Sequence, residues 1–173
     1  MQQSLKKIYI MRHASPDNNF MGKDVDKPLS NQGLKECMVM KKFLLKQEMN
    51  IDLVLCSSSV RTKQTYSYIS QCFFSHKAIL TDELYLAPAK TIAEMLKNVP
   101  EKFNNIFLIG HNMGVLDFCD EYTDYDTYLM NRNIFYKFMP ASIACFEIYG
   151  DKLPNLKKES LKLNYFKCPD DFI

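Results

Sequence analysis

The chain has only three histidines, and two of them, His13 and His111, occupy equivalent surroundings. His13 follows an apolar run at residues 8–11, with Arg12 beside it. His111 follows the run at 106–109 and Gly110. A third run, 51–56, leads into Ser57-Ser58-Ser59-Val60-Arg61. In parallel α/β sheets, ligands bind beyond the carboxyl ends of the strands. If the three runs are strands, Arg12, His13, Arg61 and His111 meet at one sheet edge. A lone histidine after a strand is more often a structural group. Two of them with arginines beside them are hard to assign to packing. The chemistry they suit is phosphoryl transfer. Arginine's planar fork pairs bidentately with phosphate oxygens, and two arginines match a phosphate dianion. Neutral imidazole is a competent phosphoryl acceptor near pH 7. A helix beginning near Ser59 would aim free N–H groups at the same point. No acidic cluster with magnesium-ligand spacing accompanies these groups, so neither a metal nor another cofactor is expected.

The elements that must position them read as alternating strands and helices. Residues 7–11, 51–56 and 105–109 read as buried strands, 142–149 as a fourth, and 160–167 as an edge strand. Near-continuous apolar runs suit a parallel sheet covered on both faces. Between them, residues 30–46 open with Ser30 as cap and carry Leu34, Cys37, Met38, Leu44 and Leu45 on one helical face. Residues 59–73 place Thr65, Ile69 and Cys72 at helical spacing. Residues 91–98 carry Ile92, Met95 and Leu96 before Pro100. Residues 112–121 turn Val115, Leu116 and Cys119 inward. The expected fold is α/β: a three-layer α/β/α sandwich with a mainly parallel central sheet and an antiparallel edge strand, one domain over residues 1–173. Residues 120–138 mix Tyr122, Tyr125, Tyr128, Phe135 and Tyr136 with four acidic groups. They read as a partly helical surface excursion, the alternative being a lid or partner surface. His76 falls in an expected loop, and the methionines at helical spacing are expected to fill the core.

Composition narrows the function classes. Apolar residues are 47% and charged residues 24%, an ordinary globular mix. The net charge of +2 lacks the broad positive field of nucleic-acid binders, so no nucleic-acid partner is expected. No apolar run is long enough for a signal peptide's core or a membrane span, and a soluble, cytoplasmic protein with no membrane partner is expected. The six cysteines are scattered without a C-x-x-C pair, which argues for reduced, structural thiols rather than zinc ligands.

The motifs, taken in order, resemble those of the histidine phosphatase superfamily, also called phosphoglycerate mutase-like. Arg12-His13-Ala14 is similar to its R-H-[GA] signature after the first strand. Lys27-Pro28-Leu29-Ser30-Asn31-Gln32-Gly33 resembles the P-L-[ST]-x-x-G segment that opens the next helix. Ser57-Ser58-Ser59-Val60-Arg61-Thr62-Lys63-Gln64-Thr65 resembles S-x-x-x-R-[AT]-x-Q-T, and Gly110-His111-Asn112 resembles G-H-[NE]. The compact length, Asp82-Glu83-Leu84-Tyr85-Leu86-Ala87 and Phe138-Met139-Pro140-Ala141-Ser142 resemble the SixA branch, small phosphohistidine phosphatases of bacterial phosphorelays.

The resemblance implies a metal-independent phosphatase in which His13 becomes phosphorylated and water then releases phosphate. Arg12, Arg61 and His111 would hold the phosphoryl oxygens. Ser57 would close the pocket, and Asn112 would tune the orientation of His111. The general acid is where the match thins. Glu83 is the nearest candidate, with Asp82 beside it, and Asp17 is another. An alcohol leaving group needs a proton donor, whereas imidazole can be protonated before attack. A missing acid would therefore favour phosphoramidate substrates over phosphomonoesters. The expected partner is a phosphohistidine protein or a small phosphorylated metabolite. The alternatives are a broad phosphomonoesterase, a phosphoglycerate mutase-like enzyme and a non-catalytic phosphate-binding module.

Overall fold

The computed structural model describes residues 6–74, 76–130, 138–148 and 153–172. Six strands form one sheet: β1 (Lys6–Arg12), β2 (Leu53–Ser57), β3 (Lys77–Thr81), β4 (Asn105–Gly110), β5 (Ile143–Ile148) and β6 (Lys162–Lys167). Their spatial order is β3-β2-β4-β1-β5-β6. β3, β2, β4 and β1 pair in parallel. β5 lies antiparallel to β1, and β6 antiparallel to β5. The antiparallel region thus holds two strands, with the expected edge strand outermost. The last residue of the expected fourth strand lies outside the described residues.

The pleat divides the core in two. On one face Ile8, Ile10, Leu53, Leu55, Ile106, Leu108 and Phe146 meet α3 (Ala89–Lys97) and α4 (Gly114–Tyr122) through Ile92, Leu96, Val115 and Phe118. On the other, Tyr9, Met11, Val54, Phe107, Ile109 and Cys145 meet α1 (Asn31–Leu45) and α2 (Val60–Ile69) through Cys37, Met40, Leu44 and Ile69. Strands buried on both faces explain the continuous apolar runs, and the two helical layers complete the expected sandwich. A fifth helix, α5 (Tyr125–Met130), lies within the excursion at 120–138. Its Phe135 and Tyr136, with the rest of 131–137, lie outside the described residues.

The structure corrects three expectations. β3 (Lys77–Thr81) is a strand that the sequence reading did not contain, beginning at the last residue of the loop expected at 73–77. It is an edge strand with residues 77–80 all exposed, so it carries no buried run to reveal it. On α1, Met38 is 53% and Leu45 52% exposed, while the charged Glu36 is buried. Glu36 turns inward because its carboxylate receives both the N–H and the O–H of Ser15, at 2.8 and 2.7 Å. The helical methionines are likewise divided: Met40 is buried and Met95 packs against the core, but Met38 is exposed. Among the described residues, no helix is long and apolar enough to cross a membrane.

Two close approaches lock the layers where they meet the sheet's carboxyl edge. A Cβ on Gly33 would overlap the Ser15 carbonyl oxygen, and one on Gly114 would overlap that of Ala87. Neither obstacle is a flexible side chain, so the backbone itself would have to move. Gly33→Ala and Gly114→Ala should each lower unfolding free energy by about 1–3 kcal/mol. Urea midpoints at unchanged m would measure this, and a loss under about 0.5 kcal/mol would contradict it.

Candidate active site

β1 and β4 run side by side with Arg12 opposite Gly110, so the next residue of each chain is a histidine. The His13 N–H donates to the Gly110 carbonyl at 3.1 Å. The two imidazole rings end 5.0 Å apart, edge to face. β2 lies on the other side of β4 and ends at Ser57, and Arg61 follows in the first turn of α2.

The segment after His13 is fixed by residues of the other motifs. The Ala14 N–H donates to Thr65 Oγ1 at 3.1 Å, and the Leu29 N–H to Gln64 Oε1 at 2.7 Å. Ser30 caps α1 by accepting the Gly33 N–H at 3.0 Å, and its hydroxyl donates to the Ser15 carbonyl at 3.1 Å. Thus β1, α1 and α2 are tied together at the point where the imidazole must be held.

The donors and acceptors then assign the tautomers. His13 Nδ1 lies 2.7 Å from the Ala14 carbonyl, so it carries the hydrogen and leaves a lone pair on Nε2. Arg61 Nε–H donates to that Nε2 at 3.3 Å. Arg61 Nη2 donates to His111 Nδ1 at 3.3 Å, so His111 Nε2–H donates to Ser57 Oγ at 2.8 Å. Burial lowers His13 from an ordinary 6.5 to about 4; the Ala14 carbonyl opposes this, and Arg61 and Arg12 reinforce it. Burial, then His13 and Arg61, lower His111 to about 3. Both imidazoles are neutral at pH 7. Arg12 Nη1 donates to the Phe138 carbonyl at 2.9 Å. Its buried Nε has no acceptor among the described residues.

Arg12, His13, Arg61, His111 and Asn112 line one pocket of about 300 Å³. Asn112 Nδ2 donates to the Phe138 carbonyl at 3.1 Å, so its contact is with that loop rather than with His111. Ser57 does not line the pocket; it is fully buried beneath His111 and orients it. From α2 only Arg61 reaches the lining, and the Thr62 N–H is taken by the Ser59 cap at 3.4 Å. The three candidate acids all lie off the pocket. Glu83 is exposed in a 3₁₀ turn, with its N–H on Thr81 Oγ1 at 3.2 Å. Asp82 accepts the Ser58 hydroxyl, and Asp17 accepts the Asn19 N–H at 2.9 Å.

Sequence reasoning named the loop 20–26 for specificity but did not single out Asp24, the carboxylate that does line the pocket, nor Pro16 and Leu86; Lys27, read as a turn lysine that could draw phosphorylated substrates, lines it too. Arg61 Nη2 donates to Asp24 Oδ2 at 2.9 Å and Nη1 to the Asp24 carbonyl at 2.6 Å. The Tyr85 hydroxyl donates to the same Oδ2 at 2.7 Å, and Lys27 Nζ stands 3.7 Å from Oδ1. Chiefly through Tyr85 and then Arg61, the carboxyl is held below its usual range. The available signal was position: residues 20–26 lie between two motifs that both fold onto the pocket. Nothing in that stretch singles out Asp24 from Asp26. Among the described residues, no cluster of three or more His, Cys, Asp or Glu is arranged to hold a metal ion.

Residues 8–85 match the family model of the histidine phosphatase superfamily (branch 1). An uncharacterized protein of Mycobacterium tuberculosis, known from two strains, is 28% identical over 101 residues, 58% of this chain. The match spans 62% of that relative's length. Among solved structures, the protein named SixA from Nakamurella multipartitia superposes with a TM-score of 0.80 at 20% identity, covering 96% of this chain and 97% of that one. The protein histidine phosphatase SixA complexed with tungstate gives 0.78 at 20% identity, covering 96% and 99%. At that identity the likeness is one of fold.

The two neutral imidazoles make stability depend on pH. Their folded pKa values lie below 6.5, so between pH 6.5 and about 4 the unfolded chain binds more protons than the folded one. Stability is therefore full above pH 6.5 and falls as pH drops through that window. The urea midpoint should decline from pH 7 to 4.5, and less steeply in His111→Gln. Equal slopes in the two proteins would contradict the assignment.

Proposed function

We propose that the chain is a histidine phosphatase superfamily protein and a metal-independent phosphohydrolase working through a phosphohistidine on His13, a reading supported by the family-model match over residues 8–85 and by the fold it shares with the SixA structures. The observation that carries the reading is the His13 Nε2 lone pair, freed by the Nδ1 contact to Ala14 and facing a pocket lined by two arginines. His13 Nε2 attacks phosphorus, the bond to the leaving group breaks, and the phosphoryl group moves to the imidazole. Water then attacks the same phosphorus, the P–N bond breaks, and inorganic phosphate leaves. Arg12, Arg61 and His111 hold the equatorial oxygens while charge shifts among them.

The preferred substrate is a phosphoramidate, phosphohistidine above all. Glu83, Asp82 and Asp17 lie off the pocket, and Asp24 is held ionised by Tyr85, Arg61 and Lys27. Such a site has no ready proton for an alkoxide but needs none for an imidazole already protonated.

The test is phosphate release in EDTA from a phosphohistidine-bearing phosphotransfer domain and from p-nitrophenyl phosphate. Turnover should require His13, be lost in His13→Ala, and favour the phosphohistidine protein. Arg61→Ala should cost about 2–4 kcal/mol of transition-state stabilisation. Faster ester hydrolysis would point to a phosphomonoesterase. No His13-dependent turnover on either substrate would overturn the phosphohydrolase reading.

A further inference from the structure

In-line displacement sets an axis through the pocket. His13 is 6% exposed and forms its floor, so a leaving group departs outward, toward the mouth. The charged groups that line the outer pocket are Asp24 and Lys27. The Asp24 side chain is 51% exposed, while the Arg61 side chain it grips is 5% exposed. The carboxylate therefore stands above the phosphoryl-binding guanidinium, on the side through which the leaving group must pass. Its two oxygens are not equivalent. Oδ2 is saturated by Arg61 Nη2 and the Tyr85 hydroxyl, at 2.9 and 2.7 Å. Among the described residues Oδ1 meets only the long, flexible Lys27 ammonium at 3.7 Å, which an incoming N–H can displace. Tyr85 also stacks edge-on against His111, with ring centroids 5.5 Å apart. The carboxylate is thus fixed to the catalytic cluster from two loops.

We propose that Asp24 is the specificity-determining residue of this pocket, accepting the N–H of a protonated nitrogen leaving group on Oδ1 and repelling a leaving group that is anionic. The inference rests on the phosphohydrolase reading above. In a phosphorylated imidazole protonated on its far nitrogen, the ring is cationic. As His13 Nε2 bonds to phosphorus, the P–N bond breaks and its electron pair returns to the ring nitrogen. The imidazole then leaves neutral, with its far proton in place, and no acid is consumed. Asp24 raises the fraction of bound substrate in that reactive form. An alcohol ester gains nothing from it, because its leaving oxygen develops negative charge beside a carboxylate.

The test compares kcat/KM for N-phosphorylated imidazole and for p-nitrophenyl phosphate in wild type and Asp24→Asn. Asparagine keeps an oxygen for Arg61 and Tyr85 but removes the charge. The phosphoramidate-to-ester ratio should fall about tenfold, as expected when a charge-assisted hydrogen bond is lost. The ratio does not depend on how much of the variant is folded. If both activities fall together and the ratio holds, Asp24 only steadies Arg61, and the inference is overturned while the phosphatase reading stands. If wild type shows no His13-dependent turnover of either compound, both readings fall.

Discussion

Arg61 buries its guanidinium with 4% of its surface open to solvent, and among the described residues the carboxylate it meets, that of Asp24, is half exposed at the rim. A cation in such a place must have its donors occupied or it will not stay charged cheaply. Two neutral imidazoles and one carboxylate at the rim meet the need: Nε on His13, Nη2 shared between His111 and Asp24, Nη1 on the Asp24 carbonyl. Much else is a consequence. A proton on either histidine would face the guanidinium, so both rings stay neutral and the His13 Nε2 lone pair stays unprotonated, held by the Arg61 Nε–H that must release it before attack. With Asp24, the one lining carboxylate among the described residues, at the rim, the interior of the pocket remains deficient in negative charge. The electrostatic demand of the fold and the requirement of an anionic ligand are one constraint.

Parallel pairing of β1 with β4 makes that arrangement cheap to build. Once Arg12 is in register with Gly110, the two histidines are neighbours without further instruction. The motifs then divide by task. Arg12, His13, Arg61 and His111 face the cavity. Gly33, Glu36, Gln64 and Thr65 hold the chain that follows His13. A change in the second group would reach chemistry only by letting the first group move, and placement within an ångström matters to transfer reactions.

How much of this could be read in the residues depends on where the determining contact lies. β1, β2 and β4 were legible because burial on both faces writes an unbroken apolar run. β3 was not, because an exposed edge strand has no such requirement: Lys77, Ile79 and Leu80 pair through backbone alone. Glu36 defeated the helical pattern because one carboxylate taking two hydrogens from Ser15 outweighs the usual exposure of a charge. The cluster of Arg12, His13, Arg61 and His111 was legible from strand ends, a local cue repeated three times. Asp24 was not, since its partners Arg61 and Tyr85 are 37 and 61 residues away and meet it only through the packing of two loops. Glu83 was expected at the pocket and lies off it for the complementary reason. The resemblance offered it as the nearest carboxylate after the helix that follows the second strand, but the 3₁₀ turn leaves it exposed to solvent.

All six cysteines are buried, and burial raises their thiols, those of Cys37, Cys56 and Cys145 to about 12. At neutral pH a folded molecule therefore presents almost no thiolate, and oxidants or electrophiles find nothing to attack. That protection belongs to the fold and not to the residues. Unfolding returns six ordinary thiols to water at once, free to couple wrongly with each other or with another chain. In an oxidising medium each excursion from the native state becomes a one-way step, and the lifetime of the protein is then set by how rarely it opens rather than by its equilibrium stability.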